Sequence, residues 1–212
     1  MTVSFNKKAS SGTLNYSIDE GNTWTELTDA TPSINSGEKI IFKGSLVPQN
    51  YSGIGTYSVT KNFDVSGNIM SLLYGDDFVG QTDLTGKNSP FYKLFSGCTT
   101  VVNAKDLILP ATTLTYYCYN GMFGGCTSLK SAPELPATTL ANNCYGNMFY
   151  HCTSLTSAPE LPATTLATAC YYMMFCWCTS LNYIKMLATD ISAYNCLYDW
   201  VRNVPLTGGT FI

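Results

Sequence analysis

Leu109-Pro-Ala-Thr-Thr-Leu114 recurs at residues 135–140 and 161–166, and a degraded copy, Leu187-Ala-Thr-Asp-Ile191, follows at the same step of 26 residues. Cys118, Cys144, Cys170 and Cys196 keep that step, as do Phe123, Phe149 and Phe175. The unit reads Leu-Pro-Ala-Thr-Thr-Leu, three residues, Cys-Tyr, two residues, Met-Phe, two residues, Cys-Thr-Ser-Leu. Two copies close with Ser-Ala-Pro-Glu, and residues 87–98, with Phe95 and Cys98, form an irregular first copy. A unit this small cannot bury its own apolar face, so neighbouring units must stack to make a core. A period of 26 falls in the range of leucine-rich repeats.

Within each unit the pattern predicts one strand and one helix. The segments around Leu129, Leu155 and Leu181 are the expected strands, and the prolines after them force turns. The segments beginning near Thr115, Ala141 and Ala167 are the expected helices. At 100° per residue, Thr115, Cys118, Tyr119, Met122, Phe123 and Cys126 fall within an arc of about 140°, as a buried helix face would. The remaining positions fall on the opposite side, and they are the ones that change between copies.

Residues 1–68 show no helical period. Thr13-Leu-Asn-Tyr-Ser-Ile18 and Lys39-Ile-Ile-Phe-Lys43 alternate between apolar and polar, punctuated by Gly, Asn, Ser and Pro. This predicts a small antiparallel, sandwich-like β domain. Ser17-Ile-Asp-Glu-Gly-Asn-Thr-Trp24 fits the Asp-box pattern and resembles the boxes of sialidases, which are structural hairpins placed away from the active site. Residues 69–86 are expected to join the two parts and cap the repeats. Gly75-Asp-Asp77 lacks the ligand spacing of a calcium loop and reads as a solvated turn. The expected fold is therefore α+β, with an antiparallel β domain over 1–68 and a short α/β leucine-rich-repeat solenoid over 69–212.

The Met-Phe-x-x-Cys-Thr-Ser-Leu unit resembles the BspA-like leucine-rich repeats of gut and oral Bacteroidales, over roughly residues 69–212. The N-terminal part is similar to the domain that often precedes such repeats. Members of that family are commonly surface-exposed, and some are linked to adhesion. The resemblance thus implies an extracellular or cell-surface protein with an adhesive role.

Composition narrows the chemistry. Charged residues make up 12% of the chain, the net charge is -3, and the basic residues are scattered, which argues against nucleic acid as a partner. No stretch is long and apolar enough to span a bilayer, and no signal peptide is visible at Met1. A virion-associated or intracellular location is the alternative this leaves. The single histidine, His151, falls on the expected outer face while Cys152 points inward, so no nucleophile–base pair forms. Glu134 and Glu160 recur at the repeat period, and duplication alone accounts for them. No phosphate-binding glycine loop is present. Eight of the nine cysteines fall on two ladders, Cys118/144/170/196 and Cys98/126/152/178. They read as small buried thiols, with a disulfide staple along a ladder as the alternative. Cys176, the odd one, is expected on the outer face, where oxidation would dimerise the protein. No cofactor, metal or catalytic residue is expected.

The expected function is recognition. Residues 131–140 are identical to 157–166, whereas the outward positions between them differ from copy to copy. Uniform drift should have altered both; drift with relaxed constraint on the outward positions is the alternative to diversification for binding. The candidate contact residues are Tyr116, Tyr117, Asn120, Asn142, Asn143, Asn147, Tyr150, His151, Tyr172, Met173, Trp177, Tyr194 and Tyr198. Tyr, Asn and Trp are residues of adaptable recognition surfaces. The expected partner is an extracellular protein or a glycan. The competing site is the monotonous strand face, suited to a repetitive ligand. The competing roles are a structural spacer or virion-fibre part and, with no acid pair to support it, a glycan-active enzyme.

Overall fold

The structure, a computed structural model, describes residues 1–28 and 31–205, together with the backbone of 210–211. Its repeats contain no helix. Among the described residues the one α-helix is the single turn α1, Ser71–Tyr74, followed by a 3-10 turn at Gly75–Phe78. The expected α/β solenoid is therefore corrected: the segments at Thr115, Ala141 and Ala167 are chains of β-turns.

The hydrogen bonds explain the geometry. From 118 to 126, each even-numbered N–H donates three residues back: Cys118 to the Thr115 carbonyl (3.2 Å), Asn120 to Tyr117 (3.2 Å), Met122 to Tyr119 (3.2 Å), Gly124 to Gly121 (3.0 Å) and Cys126 to Phe123 (2.9 Å). Each odd-numbered N–H donates instead to an even-numbered carbonyl of the next coil: Tyr119 to Cys144 (2.9 Å), Gly121 to Gly146 (2.8 Å), Phe123 to Met148 (2.9 Å). Five coils, 87–98, 115–126, 141–152, 167–178 and 193–204, repeat this scheme, with five such bonds at each of four junctions. Every backbone N–H and carbonyl from 117 to 126 finds a partner, as a buried segment demands.

Alternate turns have a third residue with positive φ, the type II signature: Tyr117 (56°), Gly121 (63°) and Gly125 (79°). The true period of the segment is thus four residues. The apolar positions 118, 122, 126 and 119, 123 also recur every four. Over eight residues a 3.6-residue period drifts from a four-residue one by only about 80°, so the short apolar arc fits either.

The strand side of the stack is sparse. β6 (Phe63–Asn68) pairs in parallel with β7 (Val101–Ile108), and β8 (Tyr183–Ile184) with β9 (Thr210–Phe211). Between them the stack is joined by single bridges, Asn103 to Ser131 and Ser157 to Tyr183. The strands expected at Leu129 and Leu155 shrink to those bridges, since Pro133 and Pro159 have no N–H to extend a ladder.

The N-terminal residues form two antiparallel sheets. β1 (Val3–Lys7) pairs with β5 (Gly55–Val59), and β2 (Leu14–Ser17) lies between β3 (Thr25–Glu26) and β4 (Ile41–Gly44). The Asp box closes the β2–β3 hairpin: the Asp19 carboxylate accepts from the Ser17 hydroxyl (2.6 Å), the Thr23 N–H (2.9 Å) and the Thr23 hydroxyl (2.7 Å), which holds its pKa down at about 2. The chain around β5 caps the first coil. Ile54 N–H donates to the Pro90 carbonyl (3.1 Å) and Tyr57 N–H to the Leu94 carbonyl (2.8 Å). One continuous apolar core then runs from Val3 to Trp200.

Two aromatic ladders run through that core. Phe91, Tyr119, Tyr145 and Tyr171 stack at 5.5–6.2 Å between centroids. Tyr57, Phe95, Phe123, Phe149 and Phe175 stack at 5.4–5.8 Å. Phe149 is fully buried, with a ring on each side. Phe149→Ala is expected to cost about 4–6 kcal/mol, from the cavity and two lost stacking contacts. That is a large share of a typical 5–15 kcal/mol stability. Urea unfolding would show it as a much lower midpoint.

Candidate binding surface

The turn geometry sorts each coil into columns. Positions 118, 119, 122, 123 and 126 and their equivalents face the core; Cys118, Tyr119, Met122, Phe123 and Cys126 are all fully buried. The left-handed column comprises 89, 93 and 97; then 117, 121 and 125; 143, 147 and 151; 169, 173 and 177; and 195, 199 and 203. Most of these positions carry residues that tolerate positive φ: Gly97, Gly121, Gly125, Asn143, Asn147, Asn195, Asp199 and Asn203.

The fourth coil departs from that chemistry. It places Ala169 (φ 50°), Met173 (φ 50°) and Trp177 (φ 65°) there. An L-residue with a Cβ costs about 1–2 kcal/mol in this conformation, and a bulky one is a true outlier. Ala169 isolates the backbone effect because it has little side chain to lose. Ala169→Gly is expected to stabilise the protein by about 0.5–1 kcal/mol, strain relief outweighing the greater chain entropy of glycine. Thermal melting would read this as a rise of roughly 1–4 °C.

Around this strained column the last two coils expose their large side chains. Trp177 is 43% exposed, Tyr194 75% and Tyr198 49%. Tyr172 and Tyr198 stack face to face at 5.0 Å. Met173 and Tyr172 are half-buried beside them. At the other end of the band, Tyr116 and Tyr117 pack edge to face at 4.1 Å, and Tyr92 meets Tyr117 at 6.0 Å. Tyr51, a loop residue of the N-terminal part and 64% exposed, joins this cluster, 5.9 Å from Tyr116 and 5.7 Å from Tyr117. Nothing in the repeat pattern points to Tyr51, because it lies outside the period.

Between these ends, Asn142 and His151 are exposed, while Asn143, Asn147 and Tyr150 are half-buried. The His151 ring sits 6.1 Å from that of Tyr150. Asn120 is not on the surface. It is 4% exposed, and its side-chain amide donates to the Asn143 carbonyl at 3.2 Å, joining two coils. The helical angle placed it outward; in a four-residue repeat it lies in the seam between coils.

The thiols are structural. All nine cysteines are free and buried. The Cys126, Cys152 and Cys178 thiols donate to the carbonyls of Phe95 (3.1 Å), Phe123 (3.2 Å) and Phe149 (3.0 Å) in the preceding coil. Burial pushes the Cys118, Cys170 and Cys178 thiols up to about 12. Cys176 corrects the expectation of an outward thiol: it is buried, which removes the basis for dimerisation through it. Glu160 is engaged by Lys185 at 2.7 Å.

A cavity of about 1140 Å³ lies between β4 and β6, its walls including Trp24, Phe42, Phe63 and Val65. Lys39, Lys43 and Lys61 share it with Glu38, Asp64, Asp76 and Asp106, so its charges favour no one ligand. Lys43 is already held by Asp76 (2.8 Å) and lies over the Trp24 ring (4.1 Å). No histidine or cysteine lines it. Among the described residues no group of three or more His, Cys, Asp or Glu is placed to hold a metal ion, and no helix is long and apolar enough to cross a membrane.

Compared with protein-family models, with curated proteins and with solved structures, the chain matches none of them. The resemblance to BspA-like repeats accordingly rests on the repeat motif alone.

Proposed function

We propose that the protein is a non-enzymatic binding protein that recognises an extracellular protein or glycan, in an adhesive role at a cell surface. Its contact surface is the outward band of turns, centred on Tyr172, Met173, Trp177, Tyr194 and Tyr198. One observation carries this reading: Met173 and Trp177 occupy left-handed backbone where most equivalent positions use Gly, Asn or Asp. Strain of this kind persists where a side chain is needed for contact. The exposed aromatic patch around them is of the sort that marks interaction sites.

The test is a panel of glycans and extracellular proteins, probed with the intact protein and with a Met173→Asn, Trp177→Asn, Tyr198→Ala variant. A hit should weaken by about thirtyfold or more, the loss expected when hot-spot residues are removed. Retained melting behaviour would show that the scaffold is intact. A hit of unchanged affinity would place recognition elsewhere, at the Tyr51–Tyr116–Tyr117 cluster or the β4–β6 cavity.

A further inference from the structure

One aromatic ladder of the core carries a polar atom that its packing does not use. Phe95, Phe123, Phe149 and Phe175 stack through plain phenyl rings. Tyr57 heads the same ladder, 5.5 Å from Phe95, and its ring also packs on Phe5 (4.6 Å) and Phe42 (5.1 Å). A phenylalanine would make those contacts equally well. The tyrosine adds a hydroxyl that is buried and, among the described residues, has no hydrogen-bond partner. A hydroxyl desolvated in this way weakens the folded state unless something pairs with it.

Tyr57 is also where the ladder meets the cavity between β4 and β6. Tyr57, Phe95 and Phe42 wall that cavity, whereas Phe123, Phe149 and Phe175 do not reach it. The hydroxyl therefore stands at the end of the ladder that borders open space. Its volume of about 1140 Å³ is that of a large small-molecule site. The inner wall is carbon: Val59, Ile69, Leu72, Leu94 and Leu107 are buried there. Charge is confined to the mouth, where Lys39, Lys61, Asp64 and Asp106 are exposed. Two further charges are already engaged. The Glu38 carboxylate accepts from the Asn35 N–H (2.8 Å) and side-chain amide (3.0 Å), and Asp76 holds Lys43 at 2.8 Å. An ion entering this space would lose its water with no opposite charge inside to receive it. An uncharged molecule would not. Burial keeps the Tyr57 phenol protonated, so it donates, and the matching atom is an acceptor.

We propose that this cavity binds an uncharged, largely apolar small molecule whose carbonyl oxygen accepts a hydrogen bond from the Tyr57 hydroxyl. The site is separate from the outward band, since none of Tyr172, Met173, Trp177, Tyr194 and Tyr198 lines it.

Nile red, a flat uncharged dye with a single carbonyl oxygen, is the probe, titrated against the full chain by fluorescence. Binding in the micromolar range is expected, from the usual affinity per atom of a ligand this size. Nile blue, which has a cationic iminium group in place of that carbonyl, should bind at least about tenfold more weakly. Tyr57→Phe should weaken Nile red by about fivefold to tenfold, the effect of one hydrogen bond. Its melting temperature should stay level or rise, because no bond within the fold is lost. The Met173→Asn, Trp177→Asn, Tyr198→Ala variant should bind the dye as the unaltered chain does. No binding at about 100 μM protein would overturn the proposal. So would an affinity indifferent to Tyr57→Phe, or loss of the dye in the band variant. A lower melting temperature for Tyr57→Phe would overturn it too, since the hydroxyl would then serve the fold.

Discussion

Brought to about pH 10–11 in reducing buffer, the protein is expected to unfold cooperatively, although it is stable at pH 8. The thiol ladders cause this. Burial, with a contribution from neighbouring thiols for some, raises the pKa of Cys118, Cys126, Cys144, Cys152, Cys170 and Cys178 above the ordinary value of 9.0. A group whose pKa is raised on folding contributes stability that is complete below its unfolded pKa. That stability is lost as pH climbs toward the folded value, because only the unfolded chain releases the proton. The window opens near 9 and extends to about 12 for Cys118, Cys170 and Cys178. Six thiols together give a slope of about 8 kcal/mol per pH unit once all titrate, enough to exhaust an ordinary stability within one to two units. Buried Tyr119, Tyr145 and Tyr171, also raised by burial, add to the loss above 10. Urea titrations followed by circular dichroism at stepped pH would measure the slope. A Cys144→Ala variant should shallow it by about 1.4 kcal/mol per unit. Unchanged stability through pH 11 would mean that the thiols are not held protonated in the core.

Removing one residue should cost more than removing 26. Deleting residues 141–166 joins Leu140 to Ala167 in the same context as Leu166–Ala167, so every remaining coil keeps its register. The shortened chain should fold with one junction fewer, as stacked repeats do when a whole unit is lost. Deleting Asn147 alone shifts Met148, Phe149 and Cys152 by one place against coils that repeat in steps of two and four. Their N–H groups then exchange roles, and the buried ring, thioether and thiol turn away from the ladders. Loss of a cooperative transition is expected for the single deletion, and a cooperative transition at reduced stability for the large one. The opposite order in a pair of thermal melts would contradict the alternating hydrogen-bond scheme.

The period and the inward positions were legible in the sequence because duplication printed them three times. The helices were not there to be read. A helical arc and a four-residue turn repeat place Cys118, Tyr119, Met122, Phe123 and Cys126 together equally well over so short a span. The signal that separates them was present: Gly121, Gly125, Asn143, Asn147, Asn195, Asp199 and Asn203, residues suited to positive φ, lie on one four-residue grid. Read that way, Lys93, Tyr117, Met173 and Trp177 stand out as large side chains on that grid. The wrong angle also misplaced Asn120 and Cys176, both buried between coils. Tyr51 and the β4–β6 cavity arise where chain segments distant in sequence meet, and no local pattern encodes such a meeting.

The binding band and the strained fourth coil both depend on one feature, the hydrogen bonds that link each coil to the next. Scalar couplings across hydrogen bonds, measured by NMR on isotope-labelled protein, observe them directly. The account requires couplings from the amide nitrogens of Tyr145, Asn147 and Phe149 to the carbonyl carbons of Cys170, Tyr172 and Met174. Couplings from Tyr145 to Ala141 and from Phe149 to Tyr145 would instead reveal helices and contradict it.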